Sequence, residues 1–120
     1  MAKAKGFAPG DVVWGPDPFH DDDPEFVHGG ARPWLVVSNE AFPGHGDQYI
    51  CCALTSGAGV GEAFIPVRER DWTQGKPGKK GHVDCETLIT MKHAWVVRLS
   101  GTLHRDVLQA ARKKIKGYLS

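Results

Sequence analysis

Arg32 is the only arginine or lysine between Lys5 and Arg68, and it stands where the glycine-rich stretch Gly29-Gly30-Ala31 enters the apolar run Pro33-Trp34-Leu35-Val36-Val37-Ser38. A guanidinium there can hold two phosphate oxygens in a rigid fork and oppose a developing negative charge. On position alone, an ion pair with the neighbouring acids Asp21, Asp22, Asp23 and Glu25 is an equal alternative. Thr55 closes another apolar run; its hydroxyl can donate to a phosphate, or it can shape the turn that follows. His82 and Asp84 share a face if their stretch is a strand, and an imidazole that titrates near neutrality suits general acid or base work. Lys76, Lys79 and Lys80 lie in a Gly/Pro-rich loop that can track a phosphate backbone.

Other chemistries are excluded or disfavoured. There is no G-x-x-x-x-G-K-[ST], no Cys-x-x-Cys and no His-x-x-x-His. Gly57-Ala58-Gly59-Val60-Gly61 joins two strand-like runs and opens no helix, so it reads as a hairpin or surface loop and not a nucleotide loop. His20, Asp21, Asp22, Asp23 and His28 could hold a divalent metal, but flanking prolines favour a solvated acidic loop, and no metal or cofactor is expected. The three cysteines include the adjacent pair Cys51 and Cys52, which suits no usual disulfide framework, so a reduced, cytoplasmic protein is expected.

The elements that must position these groups follow from patterning. The chain has 120 residues, 41% hydrophobic and 24% charged, which is one soluble domain with no apolar run of membrane-spanning length. Short runs at 11–14, 33–38, 49–54, 63–67 and 95–99, separated by glycine and proline, predict the strands of a small β-barrel or sandwich. Residues 1–8 are expected to be disordered. From Leu103 the apolar positions 103, 107, 108, 110, 111, 115, 118 and 119 fall at helical spacing, predicting an amphipathic C-terminal helix over 103–119 with Thr102 as N-cap. Trp14, Trp34 and Trp95 lie in strand-like runs and are expected in the core. Residues 1–67 carry three basic residues against nine acids, a balance of −6, while residues 68–120 carry twelve against five, a balance of +7. A basic second half suits a polyanionic partner, or simply a solvated face.

Four stretches in order resemble the MazF/PemK family of toxins from type II toxin–antitoxin systems: Gly10-Asp11-Val12-Val13-Trp14, Arg32-Pro33 with its apolar run to Ser38, Leu54-Thr55-Ser56, and Val83-Asp84-Cys85-Glu86-Thr87-Leu88-Ile89-Thr90. With the terminal helix, the resemblance spans about residues 9–119. It implies an SH3-like β-barrel with a C-terminal helix, a homodimer, and metal-independent cleavage of single-stranded RNA. It also implies Arg32 and Thr55 as catalytic residues, Ser56, His82, Asp84, Lys79 and Lys80 as substrate-binding ones, and an antitoxin with an acidic, disordered tail as partner. Such cleavage uses the RNA's own 2′-OH, so the protein must supply a base, an acid and a cation. A guanidinium is a poor proton shuttle, which makes electrostatic stabilisation the main task of Arg32. The loop before Arg32 departs from the family in length and acidity, and its carboxylates would repel RNA if they lined the groove. The rival readings are an SH3-like module that binds a protein or nucleic-acid partner without catalysis, and a metal-dependent nuclease built on His20 and His28.

Overall fold

Val12 and Val13 are neighbours in sequence, point to opposite faces of one sheet, and are both fully buried. The sheet is therefore covered on each side. The computed structural model describes residues 6–18, 31–55, 61–75 and 81–120. Its strands are β1 (Asp11–Pro16), β2 (Ala31–Val36), β3 (Gln48–Thr55), β4 (Phe64–Val67), β5 (Trp72–Gly75), β6 (Gly81–Lys92) and β7 (Arg98–Leu103), followed by helix α1 (Arg105–Leu119). They form one antiparallel sheet in the order β4-β6-β3-β2-β1-β7-β5, curled into a half-barrel, so the architecture is mainly β with one terminal helix.

One face packs against α1. Val12, Leu35, Cys52, Leu54 and Val83 meet Val107, Leu108 and Ala111 of the helix. The other face gathers Val13, Trp34, Val36, Tyr49, Cys51, Ala53 and Met91 into a second core. Burial pushes the Cys51 thiol up to about 12 and the Cys85 thiol up to about 11, and it raises Cys52 as well. All three thiols therefore stay protonated near neutrality and supply no thiolate nucleophile.

The structure corrects several sequence expectations. The helix starts at Arg105, not 103, and His104 is its N-cap, its Nδ1 accepting from the Asp106 amide at 3.1 Å. Thr102 belongs to β7, where its hydroxyl donates to Asp11 at 2.8 Å. Tyr118 and Leu119, which share the helix's apolar spacing, are 54% and 80% exposed. The 95–99 run divides into a 3₁₀ turn, His93–Trp95, and the start of β7. Trp95 is half-exposed, Trp14 is half-buried beneath the Arg98 guanidinium, and only Trp34 of the three is fully buried. Within the stretch 1–8, the Phe7 ring stacks on His93 and its amide donates to the Tyr49 hydroxyl; residues 1–5 lie outside the described residues.

Two strands, β5 and β6, escaped the pattern. In β6 the cause is a bulge. Cys52 pairs with Leu88 but Ala53 pairs with Asp84, so Cys85, Glu86 and Thr87 are extra residues on one side. Val83 before the bulge and Cys85 at its start face the helix; after it Leu88 does. The period of two resets inside the strand, so no single alternation describes it.

Gly101 marks the tightest approach in the sheet. A Cβ there would collide with the Gln74 carbonyl oxygen and come within 3.1 Å of the Trp72 ring. Gly101→Ala should therefore cost ~2 kcal/mol in urea unfolding. Gly117→Ala, where a Cβ meets nothing within 4 Å, should instead stabilise the helix by up to ~1 kcal/mol.

Candidate active site

The β1–β2 pairing sets Gly15 opposite Arg32 and Val13 opposite Trp34. Alternation puts Arg32 on the face of Trp34 and Val36, at the end of the second core. Trp34 is fully buried, and its indole N–H donates to the Pro16 carbonyl at 3.1 Å. That bond fixes the chain just ahead of Asp17, whose side chain is fully buried. The Arg32 guanidinium lies 5.5 Å from the Trp34 ring centre and spreads its fork in two directions. Nη1 donates to Asp17 Oδ2 at 2.8 Å, and Nη2 donates to the Leu54 carbonyl at 2.8 Å. Arg32 thus reaches across its own strand to the end of β3, against the peptide that leads into Thr55. Its Nε is buried without a hydrogen-bond partner among the described residues.

Register carries the line onward. Trp34 pairs with Ala53, so Arg32 stands level with Thr55, and Thr55 pairs directly with His82. Gly15, Arg32, Thr55 and His82 therefore form one row across four strands, on one face of the sheet. Pro66 of β4 ends the row, and the His82 ring meets Phe64 edge-on with centroids 6.4 Å apart. Asp84 lies one row back, opposite Ala53 and Phe64. Its carboxylate turns to the bulge: Oδ1 accepts from the Glu86 amide at 2.9 Å and Oδ2 from the Thr87 hydroxyl at 2.8 Å.

The structure so brings together Arg32, Thr55 and His82, with Asp84 adjacent. Ser56, Lys79 and Lys80 lie outside the described residues, as do Lys76, the acids at 21–23, Glu25, His20 and His28. The residue that sequence reasoning missed is Asp17. The sequence offers an arginine–carboxylate pair, but with Asp21, Asp22, Asp23 and Glu25 as partners. A signal existed, since Asp17 follows β1 and stands diagonally across from Arg32 once Gly15 is paired with it. Reading it required the register of two strands separated by a long acidic connection. Among the described residues no three His, Cys, Asp or Glu side chains gather as a metal site, and no helix is long and apolar enough to cross a membrane.

The sequence model of one family, described as the PemK-like, MazF-like toxins of type II toxin–antitoxin systems, matches residues 8–119. The chain belongs to this family. Solved MazF-like structures share its fold. The MazE–MazF structure (Form II) from Deinococcus radiodurans matches with a TM-score of 0.72 at 21% identity, covering 97% of each chain. An endoribonuclease from Mycobacterial species matches at 0.71 and 16% identity, over 96% of this chain and 92% of the other. An endoribonuclease in complex with its cognate antitoxin, also from Mycobacterial species, matches at 0.65 and 18% identity over 95% of each. No curated protein sequence matches significantly. For this MazF-like chain the expected fold is borne out, and the Arg-Pro and Leu-Thr motifs fall at the two ends of one hydrogen bond, Arg32 to Leu54.

Asp84 satisfies the bulge at two points, so Asp84→Ala should cost ~1 kcal/mol in urea unfolding. Asp84→Asn, which keeps an acceptor and a hydroxyl partner, should recover most of it.

Proposed function

We propose that this MazF-like toxin is a metal-independent endoribonuclease acting on single-stranded RNA through 2′-OH attack. The carrying observation is the immobilised Arg32 guanidinium level with Thr55 and His82. In the reaction the 2′ oxygen bonds to phosphorus and the P–O5′ bond breaks, leaving a 2′,3′-cyclic phosphate and a 5′-hydroxyl. The 2′ proton passes to a base and a proton reaches O5′. Arg32 supports the charge that builds on the non-bridging oxygens, since five N–H donors leave some in hand after two are engaged. Thr55 donates a neutral hydrogen bond to the same phosphate. His82 brings an imidazole to the same row, opposite Thr55. Ser56, Asp84, Lys79 and Lys80 supply further substrate contacts.

The partner is an antitoxin whose acidic, disordered tail covers the Arg32–Thr55 region and competes with RNA, because a surface built to attract phosphates attracts carboxylates too. The toxin itself is a homodimer. Trp95, Val97 and Leu99 are 46%, 68% and 49% exposed, three large apolar residues within five positions, which a second copy would cover. A charge on this stretch, Val97→Asp, should shift sedimentation at micromolar concentration from a dimer to a 13 kDa species; a monomeric wild type would refute the assembly.

The Arg32–Asp17 pair favours a second reading, a binding module whose arginine merely braces a loop. Cleavage of single-stranded RNA in EDTA separates the two. Arg32→Ala should lower the single-turnover rate by two to three orders of magnitude, about the scale of losing a preorganised electrostatic donor. Arg32→Lys keeps the charge, loses the fork and should recover only part. Arg32→Ala also leaves the buried Asp17 carboxylate short of its cation, so its thermal midpoint should fall. Full cleavage by a folded Arg32→Ala would sink the catalytic assignment.

A further inference from the structure

We propose that Asp17 is the positioning residue for Arg32: it selects the one rotamer in which the guanidinium lies across the end of β3. This rests on the endoribonuclease reading of the same site.

The argument begins with what an arginine would otherwise do. A long side chain at the end of a strand loses rotamer entropy on being fixed, and an isolated guanidinium prefers water. Here the side chain is only 23% exposed, and both of its terminal nitrogens are bound. The Leu54 carbonyl alone is a neutral acceptor. Asp17 is the charged one, its side chain wholly out of solvent, at 2.8 Å from Nη1. A charge-assisted bond in a dry setting is the stronger of the two and sets direction as well as distance. Asp17 is itself held from behind: the Trp34 indole grips the carbonyl of Pro16, the residue just before it, and the Trp34 ring lies near the guanidinium. Carboxylate, indole and guanidinium are therefore three corners of one rigid frame.

The frame leaves chemistry in hand. Nη1 and Nη2 each carry two hydrogens, and each spends one. The second pair of Nη hydrogens stays with a cation whose orientation is already fixed. Asp17 also lowers the net charge of the site, so it works against RNA affinity while it organises the transition state. That combination sets it apart from a substrate contact. Its loss should slow the chemical step and leave binding unchanged or tighter.

The test compares wild type, Asp17→Asn, Arg32→Ala and the double variant, using a single-stranded RNA in EDTA. Rates are read at saturating protein, with the RNA dissociation constant and thermal midpoint alongside. Asp17→Asn is expected to lose about 10- to 100-fold in rate, the scale of a misplaced catalytic group, with binding as tight as wild type or tighter. Added to Arg32→Ala, it should cause no further loss of rate. Unchanged cleavage by Asp17→Asn, beside a slowed Arg32→Ala, would overturn the positioning role alone. So would a loss confined to RNA affinity, or additive rate losses in the double variant. Full cleavage by Arg32→Ala would instead overturn the reading on which the role rests. If Asp17→Asn does not fold, NMR of the wild-type Arg32 side chain decides. Separate Nη proton signals, from a guanidinium that rotates slowly, are expected; one averaged signal would overturn the proposal.

Discussion

A buried carboxylate must meet a cation or lose its charge, and Asp17 meets Arg32. Much of the site depends on that requirement. It draws the guanidinium away from solvent and over the edge of β2 until its second nitrogen finds the Leu54 carbonyl. The chain can satisfy Asp17 in this way only because Trp34 anchors Pro16 and because Gly15 pairs with Arg32. A Cβ on Gly15 would fall within 2.9 Å of the thioether of Met91, which is fully buried in the core below, so that side chain would have to shift to admit one. The pair thus links the second core to the functional row, and the geometry of the arginine follows from packing as much as from charge.

The other device is the bulge in β6. A regular strand of twelve residues could not keep Val83 and Cys85 on the helix side and also place Leu88 there. Three extra residues reverse the faces midway, and the Asp84 carboxylate holds the extra loop of backbone closed. The two halves of β6 then serve different ends. The first half carries His82 beside Thr55, and the second carries Ile89 and Met91 into the core with Tyr49. Bulges commonly re-aim side chains next to functional sites in this manner. Asp84 is therefore explained by the fold whatever it contributes to substrate.

Charge is divided in keeping with the proposed role. The acids of the first half include Asp17, which is consumed internally, whereas the basic residues of the second half include Arg105, Lys113 and Lys116, all exposed on α1. Five of the twelve basic residues of the second half lie on α1 and seven precede it, so the excess of positive charge is spread along the half. A count of charges along the chain thus points to a polyanion without locating where it would bind.

The sequence alone determined a small, mainly β domain with a C-terminal helix, and it singled out Arg32, Thr55 and His82, because alternation, helical period and chemical type are local properties. Val107, Leu108 and Ala111 reveal their shared face from helical spacing alone. Only the tertiary structure decided which groups meet. Arg32 and Leu54 are 22 residues apart, and Phe7 and Tyr49 are 42 apart; such contacts are set by strand register, and a register is a property of two segments. The bulge in β6 shows the same limit inside one strand: its parity changes because β3 continues on the other side, and nothing within residues 81–92 states where the partner lies. Asp17 is one acid among several in the sequence; the closed sheet takes its side chain out of water beside a guanidinium.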